Sequence, residues 1–316
     1  MKELNFLEII KRQLDDCSYI GDDCAYLSDL GIFITQDTLV QEVHFSSYSS
    51  NAYFLGRKAA AVNLSDLAAA MAEPAYITVS LSLPKLTKDE FVSELYRGIN
   101  DACAEYGVKT AGGDITGSDK IVISVCAIGK KVSKYLSSRS FAKKGDYIAV
   151  TGNFGASAAG FHALSNFLYA EDALINAHLN PKARIKEGLM LADAAENNTA
   201  LMDASDGLID AVYKIAHNSR HSVSIDLNKI PVLPELKAYC ERNNLDYKHL
   251  AKWGGEDYEL IACIDEETLK KLEPDTFTVI GRVLNKDTNP SVSIIDGKNE
   301  ELINAEVFEN NSFNHF

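Results

Sequence analysis

The sequence predicts a two-domain α+β protein, and three observations carry that prediction. Its 316 residues are enough for two domains of ordinary size. Short runs with strand-like alternation are interleaved with helical periodicity, most regularly over the first 130 or so residues, which suits an α/β sandwich. A basic, polar interval, KKVSKYLSSRSFAKKGD at 130–146, separates this region from a second series of helices and strands. Residues 1–136 are therefore read as an N-terminal domain and 137–316 as a C-terminal domain.

The elements follow in order. Residues 1–16 mix Leu, Phe and Ile with Lys, Glu and Asp at helical spacing, which reads as an amphipathic helix and not a signal peptide. GIFITQDTLVQEVHF (31–45) reads as strand, polar interruption, strand. The Ala-rich stretch 51–72 predicts a helix closed by Pro74, and AYITVSLSLP after it a strand. TKDEFVSELYRGINDACAEYG predicts a helix in which Thr87 and Glu90 make a capping box and Gly107 follows the end. KIVISVCAIG (120–129) is the next strand. Beyond the boundary, YIAVTGNFGASAAGFHAL reads as strand, glycine loop, helix. A helix starts near Pro181 with Asn180 as its N-cap, and another spans Ser205 to about Asn218. SVSIDL, DYELIACI and FTVIGRVL are strands.

Composition limits the function. A 46% hydrophobic and 24% charged content is ordinary for a globular protein, and no apolar run approaches the roughly 20 residues that span a bilayer. The six cysteines, at 17, 24, 103, 126, 240 and 263, contain no C-x-x-C pair and read as buried or partly buried thiols in a reducing cytoplasm. A net charge of −14 argues against nucleic acid, whose backbone binds through clustered Lys and Arg. It leaves room for smaller phosphate ligands carried by divalent metals. No G-x-x-x-x-G-K-[ST] loop occurs.

The informative pattern is acidic. YIGDDCAYL (19–27) sets Asp22 beside Asp23 after a glycine; Asp37 interrupts a strand pattern; Asp66 is the one acidic residue between Phe54 and Ala72, three positions from Asn63. Asp114 follows Gly112 and Gly113, Asp203 and Asp206 flank a strand-to-helix junction, and Glu256 and Asp257 follow Gly254 and Gly255. Each alone reads as a turn, a cap or an exposed position. Together they place carboxylates at the ends of apolar elements beside small residues, which is what Mg²⁺ held between protein and phosphate oxygens requires.

These stretches, in this order, resemble the thiamine-monophosphate kinase family, within the superfamily that includes aminoimidazole ribonucleotide synthetase. The matching segments are IGDDCA, TQDTLVQEVHF, KAAAVNLSDLAAAMAEP, GGDIT, AKKGDYIAVTGNFGASAAG, DASDGL, GGEDYEL and the final FNHF. The resemblance implies transfer of the γ-phosphoryl group of ATP to thiamine monophosphate by direct in-line displacement. It implies metal ligation by Asp23, Thr35, Gln36, Asp37, Asp66, Asp114, Asp203 and Asp206, with several Mg²⁺ ions. ATP would meet Tyr106, Gly113, Asp114, Arg139 and Ser205; thiamine monophosphate would meet His44, Glu256 and Phe313. It further implies a cytoplasmic homodimer in which the N-terminal sheets join into a barrel. No catalytic base is implied, since a phosphate monoester is largely ionised near neutral pH.

This chain departs from the family pattern at Gln36, where Thr is common, at Ile115 and Gly117, where Thr and Arg are often seen, and at Ala156, usually Asp. Two alternatives stand beside this reading. One is another ATP-using relative, of the selenophosphate synthetase or hydrogenase-maturation kind, although Cys17 is a poor match for a reactive N-terminal thiol and the chain ends in FNHF. The other is a metal-binding module without turnover.

Overall fold

Helix α2 (Ala52–Ala69) is the centre of the architecture, because both sheets of the protein pack around it. The computed structural model describes residues 2–46 and 51–312. After α1 (Lys2–Lys11), the chain forms β1 (Ala25–Leu27) and β2 (Ile32–Val40), then α2, β3 (Ala72–Leu83), α3 (Asp89–Glu105), β4 (Lys109–Gly117) and β5 (Val122–Lys131). The five strands lie in the order β1-β2-β5-β3-β4. Only β3 and β4 are parallel, joined by the α3 crossover; the other pairs are antiparallel. Burial alternates along these strands: Ile77, Val79, Leu81, Ile123 and Val125 face the helices, and the opposite face is open.

The second sheet has seven strands: β6 (Tyr147–Val150), β7 (Ala200–Asp203), β8 (His221–Asp226), β9 (Leu260–Ile264), β10 (Thr278–Lys286), β11 (Val292–Asp296) and β12 (Asn299–Ile303). Their order is β12-β11-β8-β10-β6-β9-β7. One face packs on α7 (Leu208–Ser219) through Ile209, Val212 and Ile215. The other face offers Ala149, Leu201, Leu260 and Ala262 to the core that α2 shares with the first sheet. Helices α4 (Ala156–Ser165), α5 (Asp172–Leu179), α8 (Pro234–Asn243) and α9 (Tyr247–Trp253) surround a smaller core at Leu174, Leu236 and Tyr239. Helix α6 (Ile185–Ala194) lies against α2, where Gly188 approaches the Ala68 carbonyl too closely for any Cβ.

Sandwiching explains the composition of α2. Small Ala side chains let two sheets and two helices approach it, and even Lys58, Asn63 and Ser65 are buried. Asn51 caps it, its side chain accepting from the Phe54 amide, as Ser, Thr, Asp and Asn commonly do.

Several expectations about individual elements are corrected. The segment 31–45 is one strand through Val40, since ladder bonds to β5 continue past Asp37. Pro74 does not close α2; it lies inside β3, after a left-handed turn at Met71 (φ 52). Thr87 and Glu90 form no capping box, because α3 starts at Asp89 with Lys88 as a cap that makes no side-chain bond. Asn180 ends α5, and α6 begins four residues after Pro181. The stretch 109–117, for which the pattern predicts no element, is strand β4, and β1, β11 and β12 are further strands beyond those expected, whereas β7 is the strand expected before the Asp203–Asp206 junction. Of the thiols, Cys17 is exposed; Cys24, Cys103, Cys240 and Cys263 are buried, and all six are free.

Candidate active site

Three aspartates converge between the two sheets. Asp23 precedes β1, Asp66 is in the last turn of α2 and Asp203 ends β7, and one carboxylate oxygen of each lies within 4.8 Å of the others. Each is fixed by a neighbour. Ser65 donates to Asp203 Oδ2 (2.6 Å) and Thr35 donates to Asp66 Oδ2 (2.6 Å). Arg139 Nη2 donates to Asp23 Oδ1 at 2.5 Å. The adjacent Asp22 accepts from the Arg139 amide (2.7 Å) and the Ser138 hydroxyl (3.0 Å). The acidic pair 22–23 therefore divides its work: Asp22 moors the 138–139 segment while Asp23 joins the cluster.

So many carboxylates in a poorly solvated cleft resist ionisation. Burial is the largest cause of the raised pKa of Asp66, followed by the charges of Asp203, Asp37 and Asp23. Burial, then Asp23, pushes Asp203 up to about 8 despite the Ser65 hydrogen bond. Asp23 is raised by burial against the pull of Arg139. Asp37 stands exposed at the mouth; surrounding protein still raises it, with Asp23 and Asp206 adding to the effect. Its amide donates to Asn63 Oδ1 (2.9 Å), which links β2 to α2.

The next shell comes from the loops after β7 and before β9. Gly254 and Gly255 admit the 203–207 loop at close range: a Cβ on Gly255 would lie 2.9 Å from the Ser205 carbonyl oxygen. There the Glu256 amide donates to that same oxygen (2.6 Å). Asp206 pairs with Lys214 (3.0 Å), which also pairs with the buried Asp210 (2.6 Å). Glu256 pairs with Lys58 (2.8 Å) and lies 3.3 Å from His178 Nδ1. Asp257 accepts from the Gly155 and Ser157 amides at the start of α4 (2.8 and 3.2 Å), and burial pushes it up to about 8. Ala156 thus sits in a helix start whose amides Asp257 already satisfies. Glu259 accepts Arg184 through both oxygens at 2.5 Å.

The remaining expected site residues lie elsewhere. Gln36 donates its side-chain amide to Ser124 Oγ (3.3 Å) on the open face of the sheet, which leaves only its backbone toward the cluster. Asp114 is exposed on β4, in register with Ser80, which is in turn in register with Ser124 beside Thr38. That row is on the open face, and three strand spacings put it about 14 Å from β2. Within this chain Asp114 does not join the three clustered aspartates. Gly113 (φ 156) belongs to a bulge, and a Cβ there would lie 1.8 Å from the Val79 carbonyl oxygen. Ile115 is exposed on the same strand. Tyr106 ends α3, donates to the Ala183 carbonyl (3.0 Å) and lines an open cavity of about 520 Å³ with Ile185, Leu189 and Met190. His44 Nδ1 accepts from the Val40 amide (3.0 Å). Phe313 lies outside the described residues. Sequence reasoning missed Lys58, His178, Lys214 and Asp210; the signals available were a basic pair, Arg57 and Lys58, in the Ala-rich run that carries Asp66, and the i,i+4 spacing of Asp210 and Lys214.

The AIR synthase related protein N-terminal domain matches residues 21–130 and the AIR synthase related protein C-terminal domain matches 143–291. The chain is 35% identical over 324 residues to the thiamine-monophosphate kinase of Buchnera aphidicola subsp. Acyrthosiphon pisum, covering 97% of this chain and 94% of that one. It is 35% identical over 288 residues to the thiamine-monophosphate kinase of Aquifex aeolicus, covering 89% and 91%. The structure of AaThiL complexed with AMPPCP and TMP superposes with a TM-score of 0.83 at 33% identity, covering 93% of this chain and 94% of that one.

Proposed function

The chain belongs to the thiamine-monophosphate kinases of the AIR synthase related family, and from that premise we propose how its residues carry the family's reaction. It phosphorylates thiamine monophosphate with ATP, giving thiamine diphosphate and ADP. The convergence of Asp23, Asp66 and Asp203 within 4.8 Å is the observation that carries the proposal.

The donor set fits Mg²⁺: hard carboxylate oxygens, desolvated and mutually repelling, are costly to ionise without a cation between them. Asp23, Asp66 and Asp203 would hold it, with Asp37 and Asp206 at the rim of the same cleft. Thr35 serves through its bond to Asp66, and Gln36 through its backbone. Asp114 on the open face serves the nucleotide side together with Gly113. When bound, the metal neutralises charge between donor and acceptor phosphates, whose like charges 4 Å apart would otherwise cost about 4 kcal/mol per pair at an effective dielectric of 20.

The protein's own groups bind and orient. Arg139 has a buried Nε without a partner beside its bond to Asp23, so its guanidinium has donors to spare for a phosphate. Ser205 and Tyr106 are assigned to the nucleotide; His44, Glu256 and Phe313 are assigned to the thiamine moiety. No base is needed at the acceptor, whose second pKa is about 6.

The open face of the five-stranded sheet supports a homodimer. Tyr76 is exposed there, in register with Ile128 on β5, and β4 is an edge strand of that sheet. Two such sheets facing each other would close the proposed barrel. Among the described residues no helix is long and apolar enough to cross a membrane, and a cytoplasmic location is proposed.

The test is a coupled ADP-release assay with ATP and Mg²⁺, comparing thiamine monophosphate with free thiamine. Turnover confined to the monophosphate is expected; turnover with thiamine alone overturns the assignment.

A further inference from the structure

We propose that Lys58 is a positioning residue for the thiamine end of the substrate, its buried ammonium clamping the Glu256 carboxylate at the cleft while His178 covers the second carboxylate oxygen. The inference rests on the assignment of Glu256 to the substrate.

Lys58 is 4% exposed, and a buried ammonium requires a partner. Its Nζ is 2.8 Å from Glu256 Oε1. His178 is also buried, with Nδ1 3.3 Å from Glu256 Oε2 and 3.2 Å from the Ser157 hydroxyl. Glu256 itself is partly open: its side chain keeps 30% of its accessible surface. Its backbone adopts a left-handed conformation (φ 62) that no glycine relieves, held by the amide bond to Ser205. Such strain persists where surrounding structure imposes it, commonly at binding sites. The carboxylate is thus held by a lysine on one oxygen and bounded by a histidine on the other, while part of its surface stays open.

The location suits the substrate. Lys58 precedes Asp66 by eight residues in one straight-running helix, about 12 Å of rise. Helix α2 therefore holds the phosphate-binding carboxylate at one end and the clamp of Glu256 toward the other. Thiamine monophosphate is an extended molecule with an anionic phosphate at one end. A cationic thiazolium lies in its middle and an aminopyrimidine at its far end, both suited to a carboxylate. Lys58 holds the Glu256 carboxylate in place without touching substrate.

The experiment is steady-state kinetics on the full chain with ATP, Mg²⁺ and thiamine monophosphate, for Lys58→Met, Lys58→Arg, Glu256→Gln and the double variant Lys58→Met/Glu256→Gln. Lys58→Met is expected to raise the KM for thiamine monophosphate at least about tenfold, as loss of one partner of a buried charge pair does, with the KM for ATP unchanged. Lys58→Arg recovers part of that loss. In the Glu256→Gln background, Lys58→Met adds little. A Glu256→Gln enzyme with unchanged KM for thiamine monophosphate removes the underlying substrate assignment. A raised KM in Glu256→Gln but not in Lys58→Met removes the role of Lys58 alone. Additive losses in the double variant, with both KM values moving together, reduce Lys58 to a stability residue and overturn the proposal. If Lys58→Met fails to fold, Lys58→Gln in the Glu256→Gln background permits the same comparison between neutral partners.

Discussion

Replacing Asp66 by Asn is expected to stabilise the metal-free protein while abolishing its activity. With oxygens no further than 4.8 Å apart, two ionised carboxylates repel by about 3.5 kcal/mol at an effective dielectric of 20. Asp66 takes part in two such pairs, so full ionisation would cost about 7 kcal/mol before Arg139 and partial protonation offset it. A net gain of about 2–3 kcal/mol is a realistic residue of that sum. The sign follows from the raised pKa. Between the usual carboxylate value and its own, the folded state binds the proton that the unfolded state has lost, so wild-type stability falls as the pH rises through that window. The variant lacks this loss; its advantage is present at pH 8 and vanishes near pH 4. The amide oxygen of Asn still accepts from Thr35, so the fold stays intact. Calorimetry in EDTA should show a higher melting temperature at pH 8, and Mg²⁺, which should raise the wild-type value, should not move the variant's. Turnover in the ADP-release assay should drop about 10²-fold or more. Near-normal turnover, or a variant that Mg²⁺ stabilises as it does wild type, refutes the metal assignment of this helix.

Three further outcomes test the framework. Burial first, and the Lys58 ammonium second, push His178 down to about 4, so the unfolded state binds the extra proton between its ordinary 6.5 and about 4. Stability should fall by about 3 kcal/mol as the pH drops across that window, and His178→Asn should flatten the slope measured by urea unfolding. Gly98→Ala would place a Cβ 1.9 Å from the Tyr53 carbonyl oxygen where α3 crosses α2, so a loss of about 3 kcal/mol is expected from the midpoint of urea unfolding; an unchanged midpoint contradicts the crossing. Arg184→Met strips the buried Glu259 of its charge partner and should cost about 3–5 kcal/mol in the same assay, whereas no change would mean that Thr151 and the Asn153 amide satisfy the carboxylate.

Strands with strict alternation, such as β3 and β5, were legible because one face is buried and the other open. Helix α2 was legible from its alanines, although its burial on all sides leaves it no amphipathic signature. Strand β4 was not, because its residues are exposed and two glycines with positive φ form its bulge. The capping box at Thr87 failed for a local reason: the pattern S/T-x-x-E states what a cap accepts, not where the chain turns. In the site, Asp66 was readable as a carboxylate out of place in an apolar helix, whereas Asp23 and Asp203 were readable only as members of the acidic set that recurs at the ends of apolar elements. Lys58 and Lys214 were not readable, since their meaning lies in partners that only the fold supplies, Glu256 198 positions from Lys58 and Asp206 8 positions from Lys214; Asp210 and Lys214, four apart on one helix, read as an ordinary surface pair.

The burial of α2 bears on how the site works. A phosphoryl transfer between two polyanions depends on geometry more than on any one acid or base, and geometry degrades when its supports can shift. Asn63, Ser65 and Asp66 sit on a helix enclosed by two sheets and by α3 and α6, so each reaches its partner from a backbone that packing prevents from moving. Asn63 ties that backbone to Asp37 on the first sheet, and Ser65 ties it to Asp203 on the second. A shift of either sheet would therefore pull the carboxylates apart before it reached any substrate contact. The alanines that make the helix look featureless are what allow both sheets to come near enough for one helix to register them.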